Sequence, residues 1–145
     1  MTPPLYGTDI LRLAASIPHQ GRLADPMGSS ERRSPVCGSR ITIDLDLDED
    51  GRVRAAGLDV RACALGQASA SLLASEVVGR RPEEIAAARD ALARWLAEGG
   101  DAPDWPGLAV FEAARPHTAR HPSILLAFDA ATEAAERAVA MARAG

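Results

Sequence analysis

The most regular stretch of the chain is Arg40 to Asp48, R-I-T-I-D-L-D-L-D, in which polar and apolar residues alternate strictly. Ile41, Ile43, Leu45 and Leu47 share one face, and Arg40, Thr42, Asp44, Asp46 and Asp48 share the other, the period of a half-buried strand. The pattern predicts that the aspartates stand on an exposed face. Asp48-Glu49-Asp50-Gly51 then supplies turn chemistry, and a second strand-like run, Arg52 to Val60, completes a hairpin. A loop at Glu49-Asp50 sets Cys37 opposite Ala62, and a loop at Asp50-Gly51 sets it opposite Ala64. Either register brings Cys37 and Cys63 side by side at the open end, and a bulge at Gly57 would shift the pairing by one residue.

The rest of the pattern is helical. Ile10, Leu11, Leu13, Ala14 and Ile17 predict a short amphipathic helix over Thr8 to Ile17, ended by Pro18 and Gly21. Pro18 to Pro35, rich in Pro, Gly and Ser, reads as a loop. After Cys63 the period changes: Leu65, Ala68, Leu72, Leu73, Glu76 and Val77 have helical spacing, and Gly79 closes that helix. Pro82-Glu83-Glu84 opens the next, which runs through Ala97 to Gly99-Gly100. Leu108 to Ala113 is one helical turn or two. A long helix from Ser123 towards Ala142 carries Leu126, Phe128, Ala131, Ala135 and Val139 as core candidates. These elements predict a single α+β domain over residues 1–145, a small antiparallel β-sheet with helices packed on one face.

Composition narrows the function classes. Aromatics are only 3% of the 145 residues, so Leu, Ile, Val and Ala must build the core, with Trp95 and Trp105 packing the helical layer. The net charge of −4 argues against a nucleic-acid surface. Every basic residue is Arg, so no lysine amine exists for Schiff-base chemistry. No apolar run reaches membrane length and the N-terminus lacks a signal-peptide pattern, so a cytoplasmic protein with no membrane partner is expected. No phosphate loop, nucleophile elbow or His-Glu zinc helix is present. Asp44, Asp46, Asp48, Glu49 and Asp50 lack the loop pattern of a calcium site.

The chemistry therefore centres on the two cysteines, the only ones in the chain. In a cytosolic chain a thiol pair points to metal binding or redox chemistry before a structural disulfide. Cys63 falls where a strand ends and a helix begins, where free N–H groups favour thiolate. Cys37 precedes Gly38, which lets backbone approach a bound group. Both cysteines also suit small buried positions, and a redox pair stays open.

Ser34-Pro35-Val36-Cys37-Gly38, the hairpin, then Ala62-Cys63-Ala64-Leu65-Gly66-Gln67-Ala68-Ser69-Ala70-Ser71 and Val77-Val78-Gly79-Arg80 resemble the iron–sulfur cluster assembly scaffold family of the IscU, SufU and NifU N-terminal type. Leu5 to Leu23 is similar to the family's first helix and the segment after it, and the length from Val78 to Arg120 is closer to the SufU branch. The resemblance implies a Cys, Asp, Cys, Cys ligand set. Cys37 and Cys63 match two of its members, whereas Ser39 stands at the aspartate. Aligning Arg120 to Ala130 with the family's last motif puts Ser123 at the third cysteine and Arg120 at a basic residue three before it. Neutral serine is a poor ligand beside thiolate or carboxylate. His121 or His117 could complete a Cys-Cys-His site, while Ser123 also suits a helix N-cap. Arg32, Arg33, Arg115 and Arg120 are candidates for docking an acidic partner or stabilising a thiolate, with Arg120 the partner-binding candidate.

What the resemblance implies is a non-catalytic assembly protein that holds iron, an iron–sulfur cluster or zinc through Cys37 and Cys63, with His121, Ser39 and Ser123 as further candidates. Its implied partners are a cysteine desulfurase and downstream cluster acceptors, and two thiolates would hold a cluster weakly or share it across a homodimer. Two alternatives remain: a paralogue that binds no metal but docks a partner, and a zinc-dependent sulfurtransferase of the SufU type, which lacks its sulfur-accepting thiol at Ser123.

Overall fold

The computed structural model describes residues 7–34 and 38–144. In chain order the elements are α1 (Thr8–Ala15), β1 (Gly28–Arg33), β2 (Arg40–Leu47), β3 (Val53–Arg61), α2 (Ala64–Val77), α3 (Pro82–Glu98), 3-10 turns at Leu108–Ala114 and Thr118–Arg120, and α4 (His121–Ala144). The three strands form an antiparallel sheet in the order β1-β2-β3. Helices α2 and α4 pack next to the sheet, with α1 on α2 and α3 on α4.

The expected hairpin is β2-β3. Arg40 pairs with Arg61 and Ile41 with Val60, the alternative of the two registers that follows from a loop at Asp50-Gly51. The bulge lies between Asp46 and Leu47 rather than at Gly57, and the loop tightens accordingly. The Gly51 N–H donates to the Asp48 carbonyl at 3.0 Å, with Gly51 at φ 83°, so the turn needs a residue that tolerates the left-handed region.

Two readings of the sequence are corrected. The segment expected as a loop contains β1, which pairs along the whole of β2 from Gly28↔Leu45 to Arg33↔Arg40. Its sequence, GSSERR, carries no apolar alternation. Strand order comes from β2, which offers a free edge, and from α4, whose Glu133 accepts from Ser30 Oγ at 2.6 Å and from Arg32 at 3.0 Å. Gly28 is where helix and strand meet most closely: a Cβ there would stand 2.5 Å from the Ala138 backbone nitrogen and closer still to the Ala134 carbonyl. Gly28→Ala is therefore expected to cost about 3 kcal/mol or more, because backbone cannot repack as a side chain does; urea unfolding measures it.

The second correction concerns the polar face of β2. Asp44 is fully buried and Thr42 is 5% exposed. The segment before β1 covers them. It first pairs with the free edge of β3, Gly21 N–H donating to the Leu58 carbonyl at 2.8 Å. It then crosses Gly57, where a Cβ would come within 2.5 Å of the Gly21 carbonyl oxygen. Arg22 clamps Asp44 through Nε at 2.7 Å and Nη2 at 3.1 Å, the Leu23 N–H donates at 3.0 Å and Ser29 Oγ at 2.6 Å. Burial alone would raise the Asp44 carboxyl, but these bonds outweigh it and hold it below the ordinary range.

The helices follow the pattern closely. Gly79 stands at φ 93° just past α2. Pro82 opens α3, where the Glu84 carboxylate accepts from the Arg81 N–H at 3.3 Å. Trp95 and Trp105 are buried, and Trp105 Nε1 donates to the Leu72 carbonyl at 2.8 Å while its ring meets Phe128 edge-on. Leu126, Phe128, Ala131 and Ala135 are buried as expected, with Val139 partly so. The region from Leu108 is a 3-10 segment whose Leu108, Phe111 and Ala114 enter the core.

Candidate functional site

The end of the sheet where β1 stops, β2 starts and β3 gives way to α2 gathers the candidate residues. The Ser34 N–H donates to the Ser39 carbonyl at 2.9 Å, and the Gly38 N–H to the Ser34 carbonyl at 3.1 Å. These bonds carry the β1-β2 pairing one step past the strands. In register, Ser34, Ser39 and Ala62 form the next row after Arg33, Arg40 and Arg61. Alternation puts that row on the helix-facing side, with Ile41, and Ser34 and Ser39 are each 3% exposed. Gly38 is at φ 70°, a conformation suited to glycine.

Cys63 is the N-cap of α2, with extended dihedrals of −67° and 171° and no side-chain cap bond. It is a free, half-buried thiol. The first turn of α4 meets the first turn of α2 at Gly66. A Cβ on Gly66 would lie 4.0 Å from Cys63 Sγ and 3.4 Å from the Ser123 carbonyl oxygen, so glycine keeps the thiol and α4 close together. One turn further, Ser69 Oγ donates to the Ile124 carbonyl at 2.6 Å and locks the two helices.

Ser123 is 5% exposed and sits inside α4, which begins at His121. The N-cap expectation is thus corrected: the 3-10 turn Thr118–Arg120 runs directly into the helix, so no capping position falls at Ser123. His121 Nε2 donates to the Arg115 carbonyl at 2.8 Å, which leaves the lone pair of a neutral ring on Nδ1. His117 and Arg120 are exposed, on the 3-10 turn before α4. The other arginines have internal uses. Arg115 Nε donates to the Trp95 carbonyl at 2.9 Å and its guanidinium lies over the Trp95 ring, so it closes the end of α3 rather than offering a docking cation. Arg32 pairs with Glu133 and Arg33 with Glu31. Cys37 lies outside the described residues, and with it the expected approach of the two thiols. Among the described residues no group of three or more His, Cys, Asp or Glu is arranged to hold a metal ion.

Sequence reasoning missed Gly66 as the contact between thiol and α4, and Ser34. The small-residue run Gly66 to Ser71 at the start of a helix was the available signal.

A small antiparallel sheet with a thiol at its strand–helix junction, backed by paired helices, defines an α+β domain with one soft-ligand mouth. The family model "NifU-like N terminal domain" matches residues 5–104, and the chain belongs to that family. The chain is 38% identical over 81 residues to the protein of Thermotoga maritima named iron-sulfur cluster assembly scaffold protein IscU. That match spans 56% of this chain and 56% of the relative, just over half its length. Among solved structures, a nitrogen-fixing NifU-like protein (N-terminal) from Brucella abortus superposes with a TM-score of 0.89 at 38% identity, covering 94% of this chain and 95% of that one. A chain from Fervidobacterium islandicum, titled a putative iron-sulfur cluster assembly scaffold protein for the SUF system, superposes at 0.81. Its identity is 16%, over 90% of this chain and 96% of that one, so it shares the fold alone. No helix among the described residues is long and apolar enough to cross a membrane.

Proposed function

We propose that this chain is an iron–sulfur cluster assembly scaffold that holds iron, a nascent cluster or zinc through the thiolates of Cys37 and Cys63, with cysteine desulfurase upstream and cluster acceptors downstream. The observation that carries the reading is Cys63 at the mouth of α2, set against Gly66 and the first turn of α4 where Ser123 resides. Family membership and the named relatives support it. The donor set fits a soft metal in part. Two thiolates suit iron and zinc, and His121 is a third ligand whose Nε2–H bond to a backbone carbonyl has the form that fixes metal-binding imidazoles. Ser39 and Ser123 contribute neutral hydroxyls, so cargo is held loosely and handed on readily. The missing thiol at Ser123 favours holding cargo over accepting sulfur as an enzyme.

Elemental analysis of protein purified without oxygen tests the reading. Zinc or iron near one per chain, or one per two chains, is expected. Protein that stays metal-free after reconstitution with iron and sulfide overturns it. Repair gives a second test. Ser39→Asp with Ser123→Cys is expected to raise zinc affinity by more than the roughly 10–100-fold that changes around metal ligands produce. The apo variant is expected to be less stable than wild type, since Asp would replace a residue that is 3% exposed, and zinc is expected to restore it. Unchanged affinity in a folded double variant would place Ser39 and Ser123 outside the ligand set.

A further inference from the structure

Ser34 Oγ is the one buried side-chain polar atom among the described residues that has no hydrogen-bond partner. Its residue is 3% exposed. Such an atom is unusual, because a buried hydroxyl without a partner forfeits its bonds to water and gains nothing in return. Nothing local forces the arrangement. The Ser34 backbone is fully engaged, its N–H with the Ser39 carbonyl and its carbonyl with the Gly38 N–H. Those same bonds pin the residue at the closed base of the loop that holds Cys37, in the row of Ser39 and Ala62, next to Cys63 in the chain. A serine elsewhere in this sheet behaves differently: Ser29 and Ser30 each spend the hydroxyl on a carboxylate.

Resting on the scaffold reading above, we propose that Ser34 is a positioning residue for the metal site, its O–H reserved to donate to a metal-bound thiolate sulfur. A thiolate bound to a metal keeps lone pairs and substantial negative charge, and it accepts hydrogen bonds from hydroxyls. The donor lowers the charge on sulfur, orients the ligand and stabilises the loaded form. In the apo protein the same hydroxyl is a liability. The energy cost thus falls on the empty state, and loading relieves it. This sharpens the part that each serine plays: Ser39 and Ser123 stand at ligand positions, whereas Ser34 acts through a ligand.

The test uses full-length wild type, Ser34→Ala and Cys63→Ala, with zinc as the probe for affinity by chelator competition and cobalt(II) as the optical probe. Ser34→Ala is expected to weaken zinc binding about 10–100-fold. It is also expected to raise the apo melting temperature by about 2–4 °C, because the unpartnered hydroxyl is gone. The sulfur-to-cobalt charge-transfer band is expected to move to lower energy, as a sulfur that has lost a donor gives up its electrons more easily. Zinc affinity within about twofold of wild type in Ser34→Ala overturns the inference, as does an unmoved cobalt band or a fall in the apo melting temperature, which would make Ser34 a structural serine. Wild type that binds no zinc, or binds it equally well as Cys63→Ala, instead overturns the scaffold reading on which the inference rests.

Discussion

Replacing Cys63 by alanine is expected to remove metal from the protein almost completely, with iron and zinc per chain falling to background after anaerobic purification while the fold survives. Two arguments set the size of the effect. Cys63 supplies one of only two thiolates in the chain, and a neutral hydroxyl or a single imidazole does not replace a thiolate for iron or zinc. The residue is half-buried at a helix N-cap without a capping bond, so truncation removes few packing contacts and no hydrogen bond that holds α2. The Gln67 N–H bond to the Cys63 carbonyl is backbone and persists in the variant. Elemental analysis beside a melting curve reads both halves of the expectation. Metal retained at wild-type level in Cys63→Ala would move the site away from this mouth. A collapsed melting temperature would make Cys63 a packing residue.

The largest stability effect is expected at Asp44. Asp44→Ala should lower stability by about 3–5 kcal/mol, the range found on breaking a buried, hydrogen-bonded charge pair. The loss divides unequally. Arg22 is 53% exposed, so its guanidinium turns to water at modest cost. The Leu23 N–H and the Ser29 hydroxyl lose a charged acceptor that is fully buried, and the segment over Gly57 loses its anchor to the sheet. Urea unfolding measures the change, and a loss below about 1 kcal/mol would mean that the covering segment contributes little. The same carboxylate gives wild type an acid-sensitive element. Its folded pKa is depressed, so the stabilisation is complete above the unfolded carboxylate range near pH 4 and is lost as pH falls through the folded value. Wild type is therefore expected to lose more stability below about pH 4 than Asp44→Asn, which carries no proton-linked charge there. Because this ion pair lies on the sheet face away from the helices, zinc binding at the mouth is expected to survive in Asp44→Asn at temperatures where it is folded.

What could be read from the chain alone was whatever depends on near neighbours. The alternation of Arg40 to Asp48 and the turn at Gly51 marked the β2-β3 hairpin, and the small-residue run after Cys63, closed by Gly79, marked α2. Pro82 and the Gly99-Gly100 pair bracketed α3 to within a residue. The same local signals put Cys63 at a strand–helix junction, and the motifs around it identified the family. Only the tertiary structure decided which polar residues are inside. GSSERR becomes β1 because β2 lends an edge and Glu133 takes the Ser30 and Arg32 donors from about a hundred residues away. Asp44 is buried, against its alternation, because Arg22, Leu23 and Ser29 bring four hydrogen bonds to it from a segment with no periodicity of its own. Ser123 is held inside α4 against Gly66, and Ser34 is buried beside Ser39 with its hydroxyl unspent. The physical reason is common to all of these. Periodicity reports which side of an element a residue takes, but whether that side meets water, a carboxylate or a helix is set by partners distant in sequence.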